Sequence, residues 1–235
     1  MRDDGVALGA DAAAAWHAAW LDALGIESAR DDRVWRALAP PPVIYWTVIT
    51  LSPEAGPDDL RQCGGTVCDA WSAIDLAPSG FTVRAEEPWF LRPPGPLADD
   101  AGPDGLEIVR ASSPAEVEEF ELASVRGFGG ENASVEAGAI HPAEVLSDPH
   151  LTMLTGRVDG SAVAAATSYR TPRAVGIYGV ATLPSARGRG YASALTRALI
   201  DPARPATLSP SPEAESLYRR LGFAPVGALR MWQRR

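Results

Sequence analysis

Hydrophobic and polar positions in the first part of the chain follow two different periods. Apolar residues recur at helical spacing at Trp16, Trp20, Ala23 and Leu24. This spacing predicts an amphipathic helix that Asp11 caps and that Gly25 ends in a left-handed conformation. Residues 43–49 are rich in β-branched and aromatic side chains and predict a strand, while residues 57–62 predict a short helix and residues 67–74 a second strand.

The second part of the chain opens with a predicted strand at residues 106–110 and a helix with a well-marked start. Ser113 can cap this helix, Pro114 suits its first position, and Glu116 lies where the helix dipole favours a negative charge. A group of glycines is expected to end the helix, at Gly127, Gly129 and Gly130.

The strongest local signal is a hairpin in which residues 151–158 and 161–169 are two apolar runs joined by Asp159-Gly160. Such a two-residue turn favours antiparallel pairing. Further elements are predicted in the order strand, helix, strand, helix, strand, at residues 175–182, 190–200, 206–209, 212–221 and 223–232. The resulting order, β-α-(α)-β-β-β-α-β-α-β, indicates a mixed α/β fold.

A stretch rich in proline, glycine and aspartate separates the two parts. Residues 91–105 hold four prolines, three glycines and three aspartates, a composition that suits neither a helix nor a central strand. We therefore expect a smaller α/β lobe at residues 1–92, a linker at 93–105 and a larger domain at 106–235.

Charge and composition narrow the classes of function. The net charge is −9, and residues 1–105 carry 7 arginines against 17 acidic residues, so no basic stripe indicates nucleic acid as a partner. The apolar runs fall far short of the roughly 20 residues that a membrane-spanning helix needs, and the amino terminus lacks the pattern of a secretion signal. We expect a cytoplasmic protein with no membrane partner. Cys63 and Cys68 are expected to be reduced thiols, and no metal-ligand cluster is predicted from the scattered histidines His17, His141 and His150.

Candidate chemistry is concentrated after the strand that ends at Val180-Ala181-Thr182. Residues 185–192 lead from this strand into an amphipathic helix through Gly188 and Gly190. Open backbone N–H groups and the positive end of the helix dipole would make this loop an anion cradle. Arg187 and Arg189 add charge that suits a phosphate group.

Three interpretations of this loop compete. A P-loop is excluded because no Gly-Lys-Ser/Thr follows, and a dinucleotide site is disfavoured because no ribose-binding acid lies at residues 206–211. A plain glycine turn with two solvated arginines is the third interpretation.

Two motifs together give a more specific answer. The run Arg187-x-x-Gly190-x-Ala192, followed by residues 217–223 with the sequence Leu-Tyr-Arg-Arg-Leu-Gly-Phe, resembles the acetyl-CoA signature of the GNAT superfamily of N-acyltransferases. The resemblance implies an α+β fold with a central, mostly antiparallel sheet flanked by helices, acetyl-CoA as acyl donor, and Tyr218 as the general acid for the leaving thiolate. It also implies that the donor is bound by Val180, Ala181, Thr182, Arg187, Gly188, Arg189, Gly190, Tyr191 and Ala192.

The resemblance does not extend to the acceptor. A primary amine of a small molecule or peptide is expected, and its proton would pass to Glu131, Glu136, His141 or water. Residues 1–92 resemble a degenerate second GNAT half without its own loop, so one active site is expected in a monomer or homodimer. A non-catalytic, acyl-CoA-binding regulatory protein is the alternative function.

Overall fold

The computed structural model describes residues 2–60, 64–99 and 101–234. Its helices are α1 (Arg2–Ala23), α2 (Pro57–Leu60), α3 (Pro114–Gly129), α4 (Tyr191–Leu199) and α5 (Glu215–Arg220). Its strands are β1 (Ser28–Arg30), β2 (Val34–Ala37), β3 (Val48–Thr50), β4 (Thr66–Asp69), β5 (Phe81–Arg92), β6 (Glu107–Arg110), β7 (Leu151–Val158), β8 (Ser161–Arg170), β9 (Val175–Thr182), β10 (Ala206–Leu208) and β11 (Ala224–Arg234).

The chain divides into two compact units. The first unit combines Met1–Arg92 with Thr207–Arg235, and the second comprises Pro93–Ala206. The last 29 residues thus group with the amino-terminal part of the chain. The three-part division at residues 1–92, 93–105 and 106–235 stays a prediction from the sequence.

The first unit contains strands in the order β1-β2-β3-β4-β11-β5, with β3 and β4 parallel and the other neighbours antiparallel. Helix α1 packs on β5 and β11 through two glycines. A Cβ atom on Gly5 would lie 2.9 Å from Val226, and one on Gly9 would lie 2.7 Å from the ring of Trp89. These glycines allow the helix to approach the sheet closely. Because this packing stabilises the residues before Asp11 as helix, α1 begins nine residues before the predicted cap.

Two predicted elements of the first unit differ from the structure. The strand expected at residues 43–49 is confined to β3. Before it the chain makes a turn, which the backbone N–H of Tyr45 closes by donating to the carbonyl of Pro42 at 2.9 Å. The strand expected at residues 67–74 ends at Asp69, whose carboxylate accepts the N–H of Ile74 at 2.8 Å. Turns closed by hydrogen bonds outweigh strand propensity at both places.

Near the carboxyl end, the helix predicted at residues 212–221 is shorter than expected. Ala214 occupies the N-cap position and no side chain caps α5, so residues 212–214 lie outside the helix. Of the helix expected at residues 57–62, the described part is α2, while residues 61–63, including Cys63, lie outside the described residues.

The second unit follows the predicted pattern closely. Strands β6, β7, β8 and β9 are antiparallel neighbours in that order, with α3 and α4 packed against them. The Ser113 side chain accepts the N–H of Glu116, as expected for the cap of α3. Asp159 and Gly160 both have positive φ, 50° and 75°, which confirms the hairpin turn. The prediction of an α+β fold is confirmed.

A buried histidine lies in the aromatic core of the first unit. His17 in α1 stacks on Trp46 with ring centroids 5.0 Å apart, and its Nδ1 lies 2.8 Å from the carbonyl oxygen of Ala13. Burial lowers the pKa of His17 from 6.5 to about 4, against the opposing effect of the backbone hydrogen bond. The imidazole is therefore neutral at physiological pH.

The first unit is expected to lose stability as the pH falls below 6.5. Between pH 6.5 and about 4 the unfolded chain takes up a proton that folded His17 does not, which costs about 2 kcal/mol at pH 5. Urea unfolding followed by tryptophan fluorescence measures this unit alone, because all seven tryptophans lie within it.

His17→Gln is the control for this prediction. This substitution removes the imidazole that takes up a proton. Asp69 and Glu87, whose pKa values are raised by burial, are present in both proteins, so their contribution to the pH dependence is the same in each. An equal loss of stability at pH 5 in wild type and variant would contradict the assignment to His17.

Candidate functional site

The glycine loop of the second unit connects β9 to α4. The chain leaves β9 through a 3₁₀ turn at Pro184–Ala186 and enters α4 at Tyr191. Gly188 and Gly190 have φ values of 76° and 86°, in the left-handed region that side chains with a Cβ disfavour. A Cβ atom at Gly188 would have no neighbour within 4 Å, so backbone conformation explains the glycine there better than packing does.

Backbone N–H groups at the start of α4 are open to a ligand. The first hydrogen bond of the helix runs from the N–H of Ala194 to the carbonyl of Gly190 at 3.0 Å, and no side chain caps the helix. Within the described part of the chain, the N–H groups of residues 188–193 have no hydrogen-bond acceptor. Together with the positive end of the helix dipole, they form a site for an anion.

The two arginines of the loop have different surroundings. Arg187 donates from Nη2 to the carbonyl of Gly127 at 2.9 Å and from Nε to the carbonyl of Thr182 at 3.3 Å. It therefore ties the loop to the ends of α3 and β9, a role that the sequence did not indicate. Arg189 is exposed, and no carboxylate of the described residues lies within 4.0 Å of its guanidinium group. Arg189 is thus the arginine whose charge is available to a bound phosphate.

Helix α3 and the segment after it make two further contacts with this region. A Cβ atom on Gly127 would lie 2.6 Å from the Cβ of Ala181, so glycine permits the close crossing of α3 over β9. Glu131 accepts the N–H of Ser185 at 2.8 Å. Hydrogen bonds from the Ser185 side chain and backbone lower the pKa of Glu131, which makes this carboxylate a poorer general base than the sequence indicated.

Strand β9 carries a β-bulge immediately before the loop. Ala181 pairs with Ala165 and Tyr178 pairs with Thr167, so two residues of β9 oppose one residue of β8. Gly179, with φ of 59°, lies in this bulge. The bulge interrupts the hydrogen-bonded ladder at Val180, the first residue of the segment that is predicted to contact the donor. At such an interruption main-chain N–H and carbonyl groups are available to a ligand.

A buried carboxylate organises the segment after α3. Glu121 is fully buried and accepts the N–H groups of Gly138, Ile140 and His141 at 2.7–2.8 Å. Three backbone donors satisfy the carboxylate in the interior. The sequence carried a signal that was missed, because Glu121 lies on the buried helical stripe of Val117, Phe120 and Ser124.

His141 is buried next to this carboxylate. Burial lowers the pKa of His141 to about 3, although its Nδ1 lies 4.0 Å from Glu121. An imidazole with so low a pKa is a weak base, so His141 suits a structural role better than proton removal. Glu136, the third candidate base, is exposed.

Replacing Glu121 with alanine is expected to destabilise the second unit by about 3–5 kcal/mol, because one buried and two half-buried N–H groups lose a charged acceptor. Circular dichroism during urea unfolding would measure the change, and hydrogen exchange would locate it at residues 138–141. Glu118→Ala is the matched control, since Glu118 is exposed on the same helix. Equal stabilities of the two variants would contradict the role given to Glu121.

Tyr218, the predicted general acid, lies on α5 in the first unit. It is buried, with 6% of its surface exposed, and its ring packs edge-on against Phe223 with centroids 6.0 Å apart. Ser209 lies in the same unit and its hydroxyl contacts Glu87 Oε2 at 2.9 Å and the carbonyl of Pro88 at 3.1 Å. Burial raises the pKa of Glu87, and Ser209 opposes this shift.

The described residues contain no helix of the length and hydropathy needed to cross a bilayer. They also contain no group of three histidine, cysteine, aspartate or glutamate side chains placed to share a metal ion. Cys68 is buried and not in a disulfide, and burial raises the pKa of its thiol.

In this α+β unit a bulged strand leads through a glycine loop into a helix start without a side-chain cap, an arrangement that suits an anionic ligand. Residues 118–223 match the model of the Acetyltransferase (GNAT) family, and this part of the chain is therefore a GNAT domain. No curated protein matches the sequence.

Solved structures show the same fold along most of the chain. A GCN5-related N-acetyltransferase from Kribbella flavida is similar over 94% of both chains, with 21% identity and a TM-score of 0.60. A putative GNAT acetyltransferase from Novosphingobium aromaticivorans is similar over 94% of this chain and 96% of its own, with 20% identity and a TM-score of 0.58. A tandem GNAT protein from the clavulanic acid biosynthesis pathway is similar over 72% of this chain and 63% of its own, with 14% identity and a TM-score of 0.51.

Proposed function

We propose that the protein is an N-acetyltransferase that transfers an acetyl group from acetyl-CoA to a primary amine of a small molecule or peptide. The observation that carries this proposal is the row of open N–H groups at residues 188–193, within a segment that matches the GNAT family. A diphosphate is the anion that such a row, with a helix dipole behind it, would favour.

The residues of the loop fit the donor. Gly188 and Gly190 leave room for phosphate oxygens to approach the main chain, and Arg189 supplies a positive charge without a carboxylate partner in the described residues. Residues 180–182 would pair their main chain with the pantetheine arm, as an added strand would. Arg187 would act indirectly, by holding the loop against α3 and β9.

The chemistry proposed is direct attack of a neutral amine on the thioester carbon. Tyr218 would donate its phenolic proton to the departing sulfur, since a thiolate leaves more readily when it is protonated. Glu131 and His141 are disfavoured as bases by their lowered pKa values, which leaves Glu136 or solvent to take the amine proton. No metal is required for this reaction.

A thiol-release assay tests the proposal. Free CoA is measured when the wild-type protein is mixed with acetyl-CoA and a panel of small amines and amino-terminal peptides. We expect amine-dependent release with at least one class of acceptor. Saturable binding of acetyl-CoA without turnover on any amine, unchanged by Tyr218→Phe, would instead support a non-catalytic acyl-CoA-binding protein.

A further inference from the structure

A polar pocket lies at the end of β9 opposite the glycine loop. Its volume is about 180 Å³, and its polar lining comes from Arg110, His150, Thr152, Ser168, Arg170 and Asp201. Thr152 and Ser168 are cross-strand partners, and Arg170 lies two residues beyond Ser168 on β8, so these side chains share one face of the sheet.

The pocket carries two arginines that have no carboxylate partner among the described residues. In the described part of the chain, no carboxylate oxygen lies within 4.0 Å of the guanidinium group of Arg110 or Arg170. Other arginines of this unit are paired, for example Arg157 with Glu119. The one acidic side chain that lines the pocket, Asp201, lies 3.4 Å from Arg204.

The remaining polar side chains of the lining, His150, Thr152 and Ser168, can donate hydrogen bonds. Ser168 is buried, with 6% of its surface exposed, and it lines the pocket together with its cross-strand partner Thr152. The imidazole of His150 adds a further N–H. Two guanidinium groups on different strands, together with hydroxyl and imidazole donors, suit a tetrahedral oxyanion, which presents acceptor oxygens in several directions.

We propose that this pocket binds a phosphate group, held mainly by Arg110 and Arg170. The site is distinct from the donor loop. Val175 lines the pocket at the start of β9, and Thr182 ends the strand before the loop, a separation on the order of 20 Å for eight strand residues. Phosphate binding in this pocket is therefore independent of the proposed acetyl transfer.

Calorimetric titration with inorganic phosphate tests the site, in wild type and in Gly190→Asp, which blocks anion binding at the donor loop. We expect saturable binding in both proteins. Arg110→Ala and Arg170→Ala should each weaken it about tenfold, because each removes a forked, charged donor. Arg173→Ala is the control, since Arg173 is exposed in the same unit but does not line the pocket.

Three results would overturn the proposal. The first is an absence of phosphate binding in folded Gly190→Asp, which would place all binding at the donor loop. The second is wild-type affinity in both Arg110→Ala and Arg170→Ala, with circular dichroism showing that the variants are folded. The third is acetate binding as tight as phosphate binding, which would assign the pocket to any small anion.

Discussion

Gly190→Asp is expected to abolish acetyl-CoA binding while the protein stays folded. The carboxylate would lie at the N-cap of α4, next to the N–H groups that we propose bind the diphosphate. Two unit charges 4 Å apart repel by about 4 kcal/mol at an effective dielectric constant of about 20. The dissociation constant should therefore rise about 100-fold or more.

The fold should tolerate this change for two reasons. Aspartate is a favourable N-cap residue and accepts left-handed backbone better than most side chains do. A Cβ atom at position 190 would have only Pro103 near it, at 4.0 Å. The variant should thus lose its ligand without losing its helix.

Gly190→Asn is the matched control for charge. Asparagine has nearly the same size and the same tolerance of positive φ, but no negative charge. We expect it to weaken binding less than about tenfold, through steric crowding and backbone strain alone. Calorimetric titration with acetyl-CoA would measure the dissociation constants of the wild type and of both variants. Equal affinities of wild type and Gly190→Asp would show that the loop does not hold the donor.

Tyr218→Phe is expected to lower kcat by about 100-fold or more, which is the usual contribution of a general acid. Phenylalanine keeps the ring that packs against Phe223, so the fold and the KM for acetyl-CoA should change little.

Steady-state kinetics at several solvent viscosities would show whether chemistry limits turnover, a condition for interpreting kcat. Tyr169→Phe makes the same chemical change on β8, outside the residues predicted to contact the donor, where burial and Asp148 raise the pKa of the phenol to about 12. We expect this control to retain wild-type turnover. Full activity of Tyr218→Phe, when chemistry limits the rate, would remove Tyr218 from the mechanism.

Local signals in the sequence were sufficient for most elements of the second unit. The hairpin turn at residues 159–160, the cap of α3 at Ser113 and the limits of β9 depend on backbone preferences of a few adjacent residues. The glycine loop also belongs to this class, because positive φ at Gly188 and Gly190 is a local requirement. For these features neighbouring residues carry enough information.

Contacts between distant residues decided the rest. Gly5 and Gly9 would ordinarily weaken a helix, yet α1 runs through them because Val226 and Trp89 pack closely there. Arg187 is predicted to contact the donor, and the structure adds a hydrogen bond from its guanidinium group to the carbonyl of Gly127, 60 residues away in the chain.

Thus the sequence by itself determined the fold class, the loop and its GNAT signature. Tertiary structure alone showed that Glu121 holds residues 138–141 and that residues 207–235 join the amino-terminal unit. It also brought Arg110 and Arg170 from separate strands to one pocket. The physical reason is that local backbone preference acts within a few residues, whereas burial, close packing and charge pairing depend on partners that only folding brings together.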